Sequence, residues 1–381
     1  MNNNAKNLPE TDPKGYGPKK PEILDLAKAA LLSDQEENNG DFFGSTNGGG
    51  NIISGIEPYC VGVKGENFHF DGVCERALES LGETELNYWL IAGVTGDAYT
   101  QVYPKNHLFY AHRYCVSDYR ILYDDDFSAY IKNIFGQLGY GCEYFTADDI
   151  AADQKLYRRM LMRYIDSGIP VIQFRKDFNL IIGYEDAGNI LLCQPHEVSL
   201  EIIRIEFDNE YLHDESMKGW IFVGDKKSDV DRAKIFRDAV LNMAHILTTD
   251  TDRYSFGAGA FRTWADDIRS GYYNDKFLNE DDLWAVHMGF VACYETITRC
   301  CRIFLQEALT LNPDMKYISR LIPIFNREGA YSINGLDDLG AGFNTTLEVL
   351  QDAEKQKLIA DRLELFAKNM DSVVKIMKDN I

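Results

Sequence analysis

Among the eight cysteines of the 381-residue sequence, Cys74 is placed where a thiol can become a nucleophile. It follows Asp71-Gly72, a pair that predicts a helix start. Asp71 would be the cap, Val73, Ala77, Leu78 and Leu81 lie at helical spacing, and Gly82 is the stop. Cys74 then falls at about the third helical position. A sulfur there feels the positive end of the helix dipole and unpaired N–H groups, which favour the thiolate. A thiolate is the competent nucleophile for acyl transfer and for amide or thioester hydrolysis. The same helical face carries Ala77, Leu78 and Leu81, so Cys74 also fits a core position, where a thiol acts as a small hydrophobe. Residue type and spacing leave both readings open.

A thiol nucleophile needs a base, most often an imidazole. His69 lies five residues before Cys74, His107 and His112 sit in the aromatic stretch Tyr103 to Tyr114, and His196 follows a strand-like run. Any of these could fold toward the sulfur. A histidine in an aromatic stretch is more often structural.

Other patterns carry less chemistry. The run Leu90 to Ala98 contains Gly93 and Gly96 but lacks the Gly-Lys-Ser/Thr ending of a phosphate loop, and fits tight packing or the lining of a cleft. Cys293, Cys300 and Cys301 share a predicted helix with His287 at spacings that suit a packed face; zinc ligands are usually closer together. Asp124-Asp125-Asp126 and Thr248 to Asp252 lack the ligand ladder of a calcium loop. There is no CxxC pair, and the cysteines read as reduced thiols. No cofactor and no metal are expected.

The formal net charge of −21 argues against phosphate backbones and anionic lipid as partners. The 22 Tyr and 21 Phe could stack bases only beside basic residues, which are outnumbered. A small molecule or peptide, either cationic or a carrier-bound acyl group, is electrostatically allowed. No long apolar span occurs, and the polar start Met1-Asn2-Asn3-Asn4 lacks a signal-peptide core, so a cytoplasmic protein is expected.

These groups need elements to position them. Residues 1–51 are biased toward Asn, Gly and charge and read as a flexible arm, with one short helix possible at 23–32. Tyr59 to Val63 reads as a strand, and helices are predicted near 72–81, 126–137 and 147–167. Apolar runs at 171–174, 178–184 and 190–193, separated by Gly, Asp and Asn, predict hairpin strands. Runs at 200–207 and 220–223 extend the sheet. From Ser228 the pattern turns helical, through segments near 228–247, 257–268 and 281–311. Ile359, Leu363, Phe366, Met370, Val373 and Met377 form the clearest helical stripe. The expected organisation is an α+β domain over 52–226 and an all-α domain over 227–381.

The order of these elements, with Asp166-Ser167-Gly168-Ile169-Pro170-Val171-Ile172 and Leu180-Ile181-Ile182-Gly183-Tyr184-Glu185-Asp186, resembles the second half of bacteriocin-processing-type, papain-like peptidase domains. It also resembles the N-terminal domain of the butirosin biosynthesis protein H family, which places a helical domain after its papain-like one. Ser255 to Asp267 and Phe304-Leu305-Gln306-Glu307-Ala308 are similar to segments of that second domain. The resemblance spans about residues 60–375 in patches. It implies a papain-like cysteine-hydrolase-type domain with an antiparallel sheet, a Cys nucleophile, a His opening the second hairpin strand, and an Asp or Asn after the third. Cys74 matches the first position. The second falls on Asn179 and the third on Gln194, with His196 close by. Amides do not accept a proton near neutral pH, so a Cys-Asn-Gln set is a degraded triad.

Two functions follow. The chain is either a thiol acyltransferase or hydrolase using Cys74, or a non-catalytic pseudo-hydrolase binding a small molecule or peptide in the former cleft.

Overall fold

The structure, a computed structural model, describes residues 49–57, 67–109, 113–123, 127–175, 177–194, 201–325 and 335–380. The arm up to residue 48, the strand expected at Tyr59 to Val63, His112, Asp124 to Asp126 and His196 lie outside the described residues.

The fold is mixed α/β, built on one antiparallel sheet. The strands in chain order are β1 (Asn51–Ile52), β2 (Val102–Pro104), β3 (Tyr140–Thr146), β4 (Val171–Phe174), β5 (Phe178–Glu185), β6 (Ile190–Gln194), β7 (Ile203–Glu206), β8 (Gly219–Lys226) and β9 (Tyr254–Phe256). The large sheet has the order β3-β8-β4-β5-β6-β7, and β1 adds to β5 through Asn51 opposite Tyr184. The end of the expected arm is thus held in the sheet, where Asn51 also donates to Asp166 at 2.7 Å. β2 and β9 form a separate pair.

Helices of eight residues or more are α1 (His69–Ser80), α2 (Tyr88–Thr95), α3 (Val116–Tyr123), α4 (Phe127–Gln137), α5 (Gln154–Asp166), α6 (Arg232–Leu247), α7 (Gly257–Arg269), α8 (Gly289–Leu311) and α9 (Ala353–Lys378). The helix expected over 147–167 is two helices, because Asp153 leaves helical geometry and caps α5 by accepting from the Leu156 N–H.

The apolar strand runs are explained by burial on both faces. Ile172, Phe174, Phe178, Leu180, Ile182, Ile221 and Val223 enter the main core. Their neighbours Val171, Ile181, Leu191, Cys193, Trp220 and Phe222 enter a second core under α5. The main core runs without interruption from Phe68 on the α1 side to Met377 in α9, so the segments on either side of residue 226 share it. Gly93 shows how closely they meet: a Cβ there would lie 2.1 Å from the Phe304 ring of α8. The run containing Gly93 and Gly96 is therefore a packed helix, capped by Asn87 and ended by Gly96 in the left-handed region. Every residue of the 359–377 stripe is fully buried, facing α6 and α7.

Candidate functional site

α1 begins three residues earlier than the sequence predicts. Phe68 is buried, its N–H is taken by the Tyr88 hydroxyl at 2.9 Å, and its ring stacks on Tyr88 at 6.4 Å. That anchor fixes the N-cap at Phe68, and Gly72 already donates to the Phe68 carbonyl. Asp71 is consequently a buried first-turn residue and caps nothing. Cys74 becomes the sixth helical residue, beyond the free N–H groups of the first turn. Its sulfur is fully buried, and no side chain hydrogen-bonds it among the described residues. Burial pushes the thiol well above its ordinary value, with Asp71 and Cys142 adding to the rise. The helix-start activation expected for Cys74 is absent.

The other expected positions do not assemble around it. Asn179 stands opposite Gln173, and its amide donates to Gln173 Oε1 at 3.4 Å. Gln173 in turn donates to Tyr211 in the second core. Asn179 therefore projects from the sheet face opposite the one that α1 covers. Gln194 stands opposite Leu180, on the α1 face, with its Oε1 buried and without a hydrogen-bond partner among the described residues. The sheet itself separates Cys74 from Asn179.

α1 does pack on β4 and β5, with Phe70 edge-on to Phe178 at 5.1 Å. The polar pair where the helix start meets the hairpin is His69 and Asp177, with Nδ1 to Oδ1 at 3.2 Å. Arg113 approaches the same carboxylate at 3.5 Å and lies over the Phe174 ring. The imidazole nearest to Cys74 in sequence, His69, thus faces a carboxylate and not the sulfur. His107 meets Asp267 at 3.3 Å and packs on Tyr272.

Beside His69 opens a cavity of about 550 Å³. Its walls come from the start of α1, the segment leading into α3, and the helix running from Trp284 to Arg299. Trp284–Met288 is a π-helical turn ahead of α8, a form that recurs at functional sites. Gly289 follows it, and an added Cβ there would lie 2.2 Å from the Tyr114 ring. Only glycine lets Tyr114 lie on the helix and donate its hydroxyl to the Trp284 carbonyl at 3.2 Å. Trp284 stands perpendicular to both Tyr114 and Phe343, at 6.2 and 5.5 Å, and Phe343 is 39% exposed. Cys115, Cys293, Asp118 and Glu295 line the same space. Burial pushes both thiols well up.

Behind this cavity lies a buried carboxyl cluster. Asp71 and Asp97 are fully buried. Thr95 donates to Asp71 Oδ1 at 3.1 Å, and the Ser117 N–H donates to Asp97 Oδ1 at 2.9 Å. Asp71 Oδ2 meets no donor among the described residues, but when protonated it can itself donate to the Asp97 carboxylate beside it. Burial, then the Asp97 charge, drives Asp71 far up; burial lifts Asp97 to about 7, with Asp118 adding to the rise. No ion pair reaches Asp71, Asp97 or Asp118 among the described residues. A second cavity, of about 520 Å³ beside β1, contains Arg76 and Glu79, which are already paired with each other at 2.6 Å.

His287 is fully buried in a structural network. Its Nε2–H donates to the Ala341 carbonyl at 2.7 Å and its Nδ1 accepts from Tyr273 at 2.9 Å. Burial lowers it to about 4, so it is neutral at pH 7. Cys300 and Cys301 are core residues of α8. No group of three or more His, Cys, Asp or Glu is placed to hold a metal ion among the described residues. None of their helices is long and apolar enough to cross a membrane.

The cavity residues Tyr114, Trp284 and Asp118 carry no sequence motif, because they converge only through the shared core. Asp97, a lone acid inside an apolar run, was a signal that sequence reasoning passed over. In comparison with known proteins, the chain matches no family model and no curated protein.

Proposed function

We propose that this chain is a non-catalytic ligand-binding protein related to the papain-like thiol hydrolases and acyltransferases. It binds a small molecule in the cavity beside His69. The observation that carries this reading is the state of Cys74: fully buried, without an imidazole partner among the described residues, and with its thiol held protonated by burial. A thiol in that state supplies no nucleophile near neutral pH. The antiparallel hairpin and the helix laid across it support the relationship; Asn179, an amide on the sheet face away from Cys74, supports the loss of catalysis. The cavity, with aromatic walls and a few convergent polar groups, has the size and character of a small-molecule site.

The test is thiol chemistry on the native chain. Incubation with a thiol-directed reagent, then mass-spectrometric mapping, is expected to leave Cys74 unmodified until denaturant is added. Acyl thioesters are expected to hydrolyse no faster with wild type than with Cys74→Ala. Turnover that disappears in Cys74→Ala while that variant stays folded would return the chain to the thiol enzymes.

A further inference from the structure

We infer that the cavity beside His69 takes a compact alkylammonium ion carrying a hydrogen-bond acceptor; this rests on the binding role proposed above. Three aromatic rings meet in its walls, Tyr114, Trp284 and Phe343, with both smaller rings perpendicular to the indole. Ring faces attract cations, indole most strongly. Carboxylates supply the matching charge: Asp118 and Glu295 both line the space. The one guanidinium among the described lining residues, Arg299, is drawn over the Trp89 ring, 5.8 Å from its centroid.

The interior behind the cavity points the same way. Asp97 and Asp118 lie close enough to raise the proton affinity of Asp71, and Asp118 that of Asp97; no basic side chain pairs with any of the three among the described residues. Asp71 is held protonated, but ionisation of the buried Asp97 is costly without a counter-ion, and a cation in the adjoining cavity relieves it. An anion would meet this field head-on. The polar end of the ligand is set by Trp284, whose Nε1–H is buried and has no acceptor among the described residues. A hydroxyl or carbonyl oxygen on the ligand completes it. Phe343, half-exposed at the edge, provides the apolar lip over which alkyl groups enter.

The probes are choline, its uncharged isostere 3,3-dimethylbutan-1-ol, and acetate, titrated calorimetrically into the full chain. Choline is expected to bind, with the isostere at least about tenfold weaker and acetate not binding. Glu295→Gln is expected to weaken choline several-fold and leave the isostere unchanged. Trp284→Leu, checked for folding by circular dichroism, is expected to abolish choline binding. No choline binding, equal binding of the isostere, or an unchanged Glu295→Gln would overturn the assignment. Those outcomes are separate from the fate of the non-catalytic reading, which is decided by Cys74 labelling and thioester turnover.

Discussion

Replacing Asp71 with asparagine is expected to stabilise this protein at neutral pH, and by an amount that grows with pH. Asp71 is fully buried, and burial together with Asp97 holds its carboxyl protonated in the fold. In the unfolded chain it ionises near its ordinary value of 3.8. Above about pH 4, for as long as Asp71 stays protonated in the fold, this one group makes the native state bind one more proton than the unfolded state, and stability falls as pH rises. One proton corresponds to about 1.4 kcal/mol per pH unit. The amide of Asp71→Asn keeps an oxygen for Thr95 and an N–H for Asp97, but carries no titration. The groups facing position 71 are Asp97, Asp118, Cys74 and Cys300. His287 contributes the opposite slope: its folded value is depressed to about 4, so its contribution is present above about pH 6.5 and is lost as pH falls. The difference between wild type and variant cancels that background. Urea unfolding followed by tryptophan fluorescence from pH 4.5 to 8 should give curves that diverge with rising pH, by about 1.4 kcal/mol per unit while Asp71 stays protonated in the fold. Parallel curves would mean that Asp71 is ionised in the fold, and the account of the buried cluster would be refuted.

Three further outcomes follow from packing and hydrogen bonding. Gly93→Ala drives a methyl into Phe304, which is held between Tyr99 and Phe236 and cannot retreat; a loss of about 1–3 kcal/mol is expected in urea unfolding. His287→Leu strands the Ala341 carbonyl in the core and leaves the Tyr273 hydroxyl to donate to the Val286 carbonyl at 3.3 Å, with an expected loss of about 1–3 kcal/mol and a weaker decline of stability below pH 6. Gly289→Ala displaces Tyr114 from the π-turn, and should change the emission of Trp284 even where the chain remains folded.

The strands at 171–174, 178–185 and 190–194 were legible because a sheet buried on both faces writes itself as continuous apolar runs. The last helix was legible because one face only is buried. α2 escaped for the opposite reason: Tyr88 to Thr95 is apolar on every side, so it carries no periodicity. β3 alternates in burial, yet its outward Gly141 and Glu143 are residue types depleted in strands and lower its local propensity. β2 and β9 are three residues each and meet across a separation of about 150 residues, which no local signal encodes. The main core spanning both segments was hidden for the same reason, since Gly93 against Phe304 is a contact between distant parts of the chain.

A shift of three residues separates the expected site from the observed one. Asp71 followed by glycine is a sound cap signal, and had the helix begun there Cys74 would stand among free amides at its positive end. The tertiary structure overrode that local preference, because Phe68 buries itself against Tyr88 and extends the helix backwards. Starting at His69, the helix presents an imidazole where it meets the hairpin, and Asp177 answers it from the hairpin side. The inward face, which carries Asp71 and Cys74, is then sealed by the same packing that holds α1 on the sheet. Exposing the thiol requires detaching α1 from β4 and β5, and that removes the geometry an acyl transfer would need. Burial of Cys74 and the packing of α1 on the sheet are therefore one condition of the fold, and the proposed binding at the neighbouring cavity rests on it.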